Sequence, residues 1–350
     1  MKFSIILFFL STPLTLFAQN VSKLYETKVF IEDSLFVPTD LAYIEGWLFT
    51  KSEGAEYGIK IFNAKTGEFE YELGRQGRGP AEYTNNFTIQ KGPDNNTLEV
   101  SDSGNRKNDI YNIDCLKSKP SKDRAYTCIL SSVKNIASRQ ALVLDEKLVV
   151  NHSSTPEGIL FLSKGETKMN YLDTIPEEIN LSYKKPIHRA FAMTGRMAAN
   201  SERTAFAYFA DSFDRILFYE REEQQIELVK EQKYSFLPQF KVHNFGASSY
   251  MEPSDEYRGA FYSPVVSDHM YYVIYSGKSL EDVSNQKDME VAEWRGHSSK
   301  IQIYDFNGVK NDEFTLDKEV FIIEVNNEGT VLFSIHFDGR NYSILRSTLK

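Results

Sequence analysis

The stretch that decides the fold is LGRQGRGPAEY, residues Leu73 to Tyr83, in which three glycines and a proline accompany two arginines and a glutamate. It follows a strand-like run, Ile59 to Leu73, and precedes another, Phe87 to Ile89. Glycine adopts backbone conformations that other residues avoid, and proline fixes its own backbone angle, so the stretch predicts a tight connection rather than regular structure. We interpret it as the crossing between the first two repeats of a β-propeller.

Comparable strand–turn–strand units recur along the rest of the chain. One apolar strand position in each unit gives the series Ile59, Ile110, Ile159, Ile216, Ile301 and Ile344. Four of the five intervals lie near the period of ~40–50 residues that is typical of propeller blades. The interval of 85 residues between Ile216 and Ile301 requires an insertion, which we place in the region 239–297.

The sequence therefore predicts an all-β fold, a six-bladed β-propeller of four-stranded antiparallel blades. We expect the N-terminal strand, Tyr25 to Ile31, to close the ring by pairing within the last blade. A pair of β-sandwiches is the structural alternative. We prefer the propeller because each blade needs a hairpin-rich unit alone, and because a ring removes long exposed sheet edges.

Composition excludes one class of function and favours strands. Aromatic residues make up 13% of the chain, and they pack well on a pleated surface. The formal net charge of -9 lacks the broad positive field that holds phosphate backbones, which argues against nucleic-acid binding.

The N-terminus resembles a secretory signal peptide. Lys2 supplies a positive start, an interrupted apolar run follows up to Phe17, and Ala18 is a small residue at the expected cleavage point. We therefore predict a signal peptide over residues 1–18 and a single mature domain over 19–350. No later segment reaches about 18 consecutive apolar residues, so we expect no transmembrane segment after cleavage and a periplasmic or extracellular location.

Cys115 and Cys128 are the two cysteines of the sequence. In an oxidising compartment they could form a disulfide, and the alternative is two separate buried thiols. The sequence leaves this choice open.

Two motifs resemble those of known propeller families. The run from Val100 to Arg106, VSDSGNR, resembles the blade signature of NHL-type propellers, and GRQGRGPAEY resembles an element of bacterial TolB-like six-bladed propellers. Further similarity lies in YYVIYSGK, Tyr271 to Lys278, and in IQIYDFNG, Ile301 to Gly308. The resemblance implies an exported or lipid-anchored six-bladed propeller, and it implies little about activity because that family has no established chemistry.

Five residues are candidate ligand contacts: Arg75, Arg78, Glu82, Arg258 and Lys278. The first three lie among glycines that allow close approach of a ligand, and arginine forks suit carboxylate or phosphate groups. The structural alternative is that these arginines pair with Glu82 or with carbonyl groups and lock adjacent blades together. The last two lie in predicted loops, where binding residues concentrate.

The sequence identifies no catalytic residue, metal ligand or cofactor motif. Its six histidines form no H-E-x-x-H motif and no close pair, and the glycine-rich stretch has neither Walker nor dinucleotide-binding spacing. We therefore predict a ligand- or partner-binding module at the cell envelope, whose partner is a glycan, a peptide or an envelope protein. The alternatives are a hydrolase or lyase acting on glycan or peptide at the central channel, and a structural partner of an envelope complex.

Overall fold

The strands of six β-sheets contain more than half of the residues that the computed structural model describes. The structure describes residues 23–31, 35, 37–118, 122–134, 141–145, 148–152, 158–164, 167–245, 248–279, 281 and 297–349. The predicted signal peptide, residues 1–18, lies outside the described residues, as does the part of the predicted insertion over 282–296.

The first half of the chain forms two N-terminal strands and three blades. The strands are β1 (Lys23–Tyr25) and β2 (Lys28–Ile31). The first blade contains β3 (Val37–Ile44), β4 (Trp47–Glu53), β5 (Tyr57–Asn63), β6 (Phe69–Gln76) and β7 (Glu82–Tyr83). The second contains β8 (Phe87–Lys91), β9 (Thr97–Asp102), β10 (Lys107–Asn112), α1 (Ile113–Lys117), a 3-10 helix (Lys122–Cys128) and β11 (Ile129–Lys134). The third contains β12 (Ala141–Val143), β13 (Leu148–His152), β14 (Leu160–Lys164) and β15 (Thr167–Tyr171).

The second half adds three more blades and two longer connections. Helices α2 (Glu177–Ser182) and α3 (Pro186–Ala192) lead into the fourth blade, which contains β16 (Gly195–Ala199), β17 (Ala205–Ala210), β18 (Ile216–Glu222) and β19 (Gln225–Gln232). A separate hairpin follows, β20 (Phe240–Phe245) and β21 (Ser248–Pro253). The fifth blade contains β22 (Phe261–Val266), β23 (Met270–Tyr275), β24 (Ser298–Asp305) and β25 (Lys310–Val320), and the sixth contains β26 (Ile322–Val325), β27 (Val331–Phe337) and β28 (Tyr342–Thr348).

Within each sheet the strands lie side by side in their order along the chain, except that β1 and β2 are added at the edges of the last two sheets. The first strand of each blade lies at the centre of the ring. These first strands contact those of neighbouring blades, as β3 does with β8 and β26, and β22 with β16 and β26. The protein is thus the predicted all-β, six-bladed propeller with four-stranded antiparallel blades.

The N-terminal strand closes the ring as predicted. β2 pairs antiparallel with β28 and supplies the fourth strand of the sixth blade. β1 pairs parallel with β25 on the outer edge of the fifth blade, an additional contact that the prediction did not include. The N-terminal segment therefore joins the last two blades.

The hydrophobic core is divided among the six interfaces between adjacent blades. Five interfaces each contain a cluster of nine or more buried apolar residues. At the interface between the second and third blades, the described residues supply a cluster of three: Ala141, Val143 and Val149. Because burial of each large apolar side chain contributes about 1.5–3 kcal/mol, packing in the described part of the chain is weakest at this interface.

Cys115 and Cys128 form a disulfide, which decides the alternative that the sequence left open. The bond joins α1 to the end of the 3-10 helix, within the connection between β10 and β11. Closing a loop of this length removes unfolded-state entropy that is equivalent to about 3 kcal/mol.

The two faces of the ring differ in their connections. At the face that we call the crossing face, the chain passes from each outer strand to the first strand of the next blade, as in residues 77–86, 172–194 and 233–260. At the opposite face, the turn face, short turns join the first and second strands of a blade, as in residues 45–46, 92–96, 200–204, 267–269 and 326–330. Each first strand therefore runs from the crossing face to the turn face.

Closure by β2 predicts that Ile31→Asp destabilises the whole propeller. Ile31 is 5% exposed and packs in the cluster between the last and first blades, so the substitution buries an uncompensated carboxylate. We expect the free energy of unfolding, measured by urea denaturation, to fall by roughly 3 kcal/mol or more. Val29→Asp is the matched control, since Val29 lies in the same strand with 51% exposure, and it should cost less than about 1 kcal/mol. Equal losses in the two variants would contradict closure by this strand.

Candidate functional site: the central channel

A cavity of about 100 Å³ lies on the axis of the ring. Its walls come from the first strands of all six blades, represented in chain order by Asp40, Ile89, Ala141, Arg196, Val265 and Glu324. The cavity is therefore the central channel of the propeller, and its charged residues come from blades that are far apart in the sequence.

Lys91 closes the channel at the turn face. This residue is the last of β8, and its ammonium group crosses the axis to the fifth and sixth blades. Its Nζ donates hydrogen bonds to the carbonyl oxygens of Val266 and Val325, each 3.0 Å away, and lies 3.5 Å from a carboxylate oxygen of Glu324. Three acceptors therefore surround one partly buried charge, since the Lys91 side chain is 19% exposed.

A second charged pair supports Lys91 from the fourth blade. Arg203, in the turn between β16 and β17, donates from Nη2 to the Lys91 carbonyl and to Glu99 Oε2, each at 2.8 Å. Glu99 is fully buried and also accepts hydrogen bonds from the Asn108 amide group and the Val143 backbone. The pair thereby links the second, third and fourth blades beside the channel.

The crossing-face end of the channel has a different ion pair. Arg196 Nη1 lies 3.3 Å from Asp40 Oδ1, which connects the fourth blade to the first blade on the opposite side of the ring. The Arg196 side chain is 43% exposed, whereas that of Asp40 is 9% exposed. This guanidinium is thus the accessible charge at the mouth of the channel.

Local structure fixes the position of Arg196 at the mouth. It is the second residue of β16, directly after the connection that follows α3. The Tyr208 hydroxyl donates to the Met193 carbonyl at 2.6 Å, and the Thr194 hydroxyl donates to Asp211 at 2.6 Å. These bonds hold the start of β16, and with it the base of the Arg196 side chain.

Burial raises the pKa of the two carboxyl groups that line the channel, Asp40 and Glu324, and of Glu99 beside it. Desolvation raises the pKa of Asp40 and Glu99, while Arg196 and Arg203 respectively oppose the rise. Desolvation raises the pKa of Glu324 to about 7, against the opposing charge of Lys91. Glu324 therefore changes its protonation state near neutral pH.

The described polar residues that line the channel are five charged residues and three uncharged ones, Thr88, Gln90 and Ser263. Among the described lining residues there is no histidine and no cysteine. The Ser263 hydroxyl donates to the Ile323 carbonyl and accepts from the Ile323 backbone N–H, so it serves as a bridge between blades. Within the described part of the chain, no group of three or more His, Cys, Asp or Glu side chains is placed to hold a metal ion.

Three of the ligand contacts predicted from the sequence lie at the crossing face near the rim of the first blade. Arg75 and Arg78 are exposed, and the Glu82 carboxylate accepts a hydrogen bond of 2.7 Å from the Gly79 backbone. A Cβ atom at Gly77 would collide with that carboxylate, which explains the glycine. Among the described residues neither guanidinium pairs with Glu82, so the proposed arginine lock is not formed through that residue.

The other two predicted contacts lie at the crossing face of the fifth blade. The Gly259 backbone donates to the Lys278 carbonyl at 3.2 Å, which brings Arg258 and Lys278 close together. Arg258 is exposed, and Lys278 forms an ion pair with Glu319. None of the five predicted residues lines the channel cavity, and ligand binding by them stays a prediction.

Sequence reasoning missed the charged residues of the channel, which are Asp40, Lys91, Glu99, Arg196, Arg203 and Glu324. One available signal was a single charge inside a short apolar strand, as in VPTDLAYI around Asp40 and IIEV around Glu324. Such a charge costs too much to bury without a partner, so it indicates an ion pair or a polar site.

A comparison with protein-family models supports the architecture. A family model described as a 6-bladed β-propeller matches residues 38–137, which contain the first two blades. Among solved structures, the β-propeller domain of Cps50 (Swd1) from Myceliophteria thermophila is similar, with 11% sequence identity and a TM-score of 0.45 over 93% of this chain and 100% of that chain. No curated protein matches. In the described part of the chain, no helix is long and apolar enough to cross a membrane.

The channel network predicts a pH-dependent effect of Lys91→Met. Removing the ammonium group leaves Glu324 buried without its counter-ion, and the cost is largest when Glu324 is ionised. A carboxyl group whose pKa is raised to about 7 in the folded protein stabilises the fold below its ordinary value of 4.5, and this stabilisation is lost as the pH rises through 7. We therefore expect a loss of about 3 kcal/mol in the free energy of unfolding at pH 8 and a smaller loss at pH 5.5.

Urea denaturation at the two pH values measures this effect. Lys65→Met, in an exposed turn, is the control and should change the free energy of unfolding by less than about 0.5 kcal/mol at either pH. A loss for Lys91→Met that is the same at both pH values would show that its ion pair with Glu324 is unimportant.

Proposed function

We propose that this propeller is a binding module that holds a small ligand at the crossing-face mouth of its central channel. The observation that carries the proposal is the difference between the two ends of the channel. Lys91 blocks the turn-face end with three polar contacts, whereas the other end terminates at the half-exposed guanidinium of Arg196. Concave sites with a few fixed polar groups are where proteins bind small molecules.

The surface around the mouth suits a larger partner as well. Arg75, Arg78 and Arg258 are exposed on the same face as the channel mouth, since each precedes the first strand of a blade. A glycan, a peptide or an envelope protein that enters the mouth would meet these cations at the periphery. Binding at this face follows the general pattern of functional loops on a rigid scaffold.

Export of the protein is part of the proposal. The signal-like N-terminus and the resemblance to TolB-like propellers support it, and so does the Cys115–Cys128 disulfide, because such bonds persist in oxidising compartments. Thiol alkylation of the protein in intact cells tests it. The two cysteines should resist alkylation until a reductant is added. Alkylation of Cys115 and Cys128 without reductant, in the protein recovered from the cells, would contradict export.

A hydrolase or lyase is the second candidate function, favoured by one observation. Glu324 lines the channel and has a pKa of about 7, the range in which a carboxyl group serves as a general acid or base. Such an enzyme would release product from a glycan or peptide at a rate that falls at least 100-fold in Glu324→Gln. Binding without product release would identify the module as a receptor.

Binding at the mouth predicts a specific pattern of variant affinities. The mature protein, residues 19–350, is screened by thermal shift against glycans, peptides and cell-envelope fragments, and hits are quantified by calorimetry. We expect Arg196→Gln to weaken a hit by about tenfold, since a charge-assisted contact contributes ~1.5–3 kcal/mol. The control is the rim double variant Arg75→Gln and Arg78→Gln, which should leave the affinity within about twofold. The reverse pattern would place the ligand at the rim and overturn the channel site.

A further inference from the structure

The channel mouth contains features that specify the class of its ligand. We propose that the ligand is a small carboxylate with an apolar body, whose carboxylate group binds Arg196 and whose body lies against the channel wall. This inference rests on the proposed function and names the substrate class of the same site.

The first observation is the unused hydrogen-bonding capacity of Arg196. A guanidinium has five N–H donors in a planar fork that matches a carboxylate. Among the described residues, Asp40 is its one recorded acceptor, through Nη1. The remaining donors belong to a side chain that is 43% exposed and lines the cavity, so they are available to a bound anion.

The second observation is an unpartnered donor deeper in the channel. Arg203 lines the same cavity, and its side chain is 3% exposed. Its Nη2 is bonded, but its buried Nε has no hydrogen-bond partner among the described residues. An unsatisfied buried donor of this kind costs stability unless a water or a ligand satisfies it.

The third observation is the charge of the wall. The lining residues include three cations, Lys91, Arg196 and Arg203, and two carboxyl groups, Asp40 and Glu324. Glu99 balances the charge of Arg203 through an ion pair, but it is not among the residues that line the cavity. The three ion pairs balance one another, but at the mouth the cation is the more exposed partner: the Arg196 side chain is 43% exposed and that of Asp40 is 9% exposed, and this favours an anion over a cation.

The fourth observation is the apolar part of the wall. Leu41, Ile89, Met197, Val265 and Ile322 all line the cavity, whereas its described lining includes no aromatic side chain. Aliphatic walls suit an aliphatic body, and they lack the flat aromatic surfaces on which larger rings stack. The wall thus favours an aliphatic acid over a glycan.

The size of the cavity limits the length of this body. An engineered apolar cavity of about 150 Å³ in another protein accommodates benzene, which has six heavy atoms. The channel cavity, at about 100 Å³, suits a body of roughly three to five carbon atoms. Butyrate is accordingly the probe of choice.

Calorimetry with the mature protein tests this inference. Butyrate should bind saturably at one site, while butyramide, its neutral isostere, and inorganic phosphate, which lacks the apolar body, should bind at least tenfold more weakly. Arg196→Gln should weaken butyrate binding at least tenfold, and the control Lys65→Met, in an exposed turn, should leave it unchanged. Equal affinity for butyramide or phosphate, or unchanged butyrate affinity in Arg196→Gln, would overturn the proposal.

Asp40→Asn provides a second test that does not depend on removing the arginine. It preserves the shape of the side chain and removes the carboxylate that competes for Arg196, so butyrate affinity should rise about threefold or more. Unchanged or weaker affinity in this variant, with a native circular dichroism spectrum, would also overturn the proposal. If a neutral glycan binds in a manner that depends on Arg196 while butyrate does not bind, the channel site stands and the carboxylate assignment fails.

Discussion

The ammonium group of Lys91 imposes a constraint on which the rest of the channel depends. A charge at the axis of a ring of apolar strands must be surrounded by acceptors, because an unpaired buried charge costs several kcal/mol. Carbonyl groups at the ends of β22 and β26 and the Glu324 carboxylate meet this need, and they come from two blades on the far side of the ring. The second blade is thus fixed relative to the fifth and sixth across the axis.

The polar contacts between blades accompany a hydrophobic core that is unevenly distributed among the blade interfaces. In the described chain the interface between the second and third blades has the smallest apolar cluster. Glu99 accepts a hydrogen bond from the Val143 backbone at that interface while it pairs with Arg203 of the fourth blade. Polar contacts therefore connect three consecutive blades where apolar packing between two of them is weakest. Since a buried ion pair is costly to desolvate, we expect this pair to fix the register of the blades rather than to add much net stability.

Sequence reasoning succeeded where structure is local and for closure of the ring by the N-terminal strand, and it failed for the other contacts between residues far apart in the chain. Hairpin units, the glycine-rich crossing and the period between Ile59 and Ile344 each depend on residues close in the chain, and together they predicted six blades. The contact between Arg196 and Asp40 joins residues that are 156 positions apart, so no local pattern reveals it. The parallel pairing of β1 with β25 was missed for the same reason, because it depends on which edge the completed ring leaves open.

The connections of the crossing face explain why the accessible charge belongs to the fourth blade. The two longer crossings, 172–194 and 233–260, flank that blade and contact each other. The Tyr183 hydroxyl donates to the Pro238 carbonyl at 2.8 Å, and the Phe191 and Phe240 rings lie 5.2 Å apart. Arg196 begins the blade between these crossings, so its position is held by packed elements rather than by a free loop.

Preorganisation of this kind reduces the entropy that a binding site loses when a ligand enters. The turn face has no comparable feature, because the described turns between first and second strands are short and Lys91 blocks the axis there. Longer insertions on one face and a lysine across the axis at the other make the two sides of the ring structurally different. The asymmetry follows from the lengths of the connections and from a single partly buried lysine, and the shared blade architecture alone would not produce it.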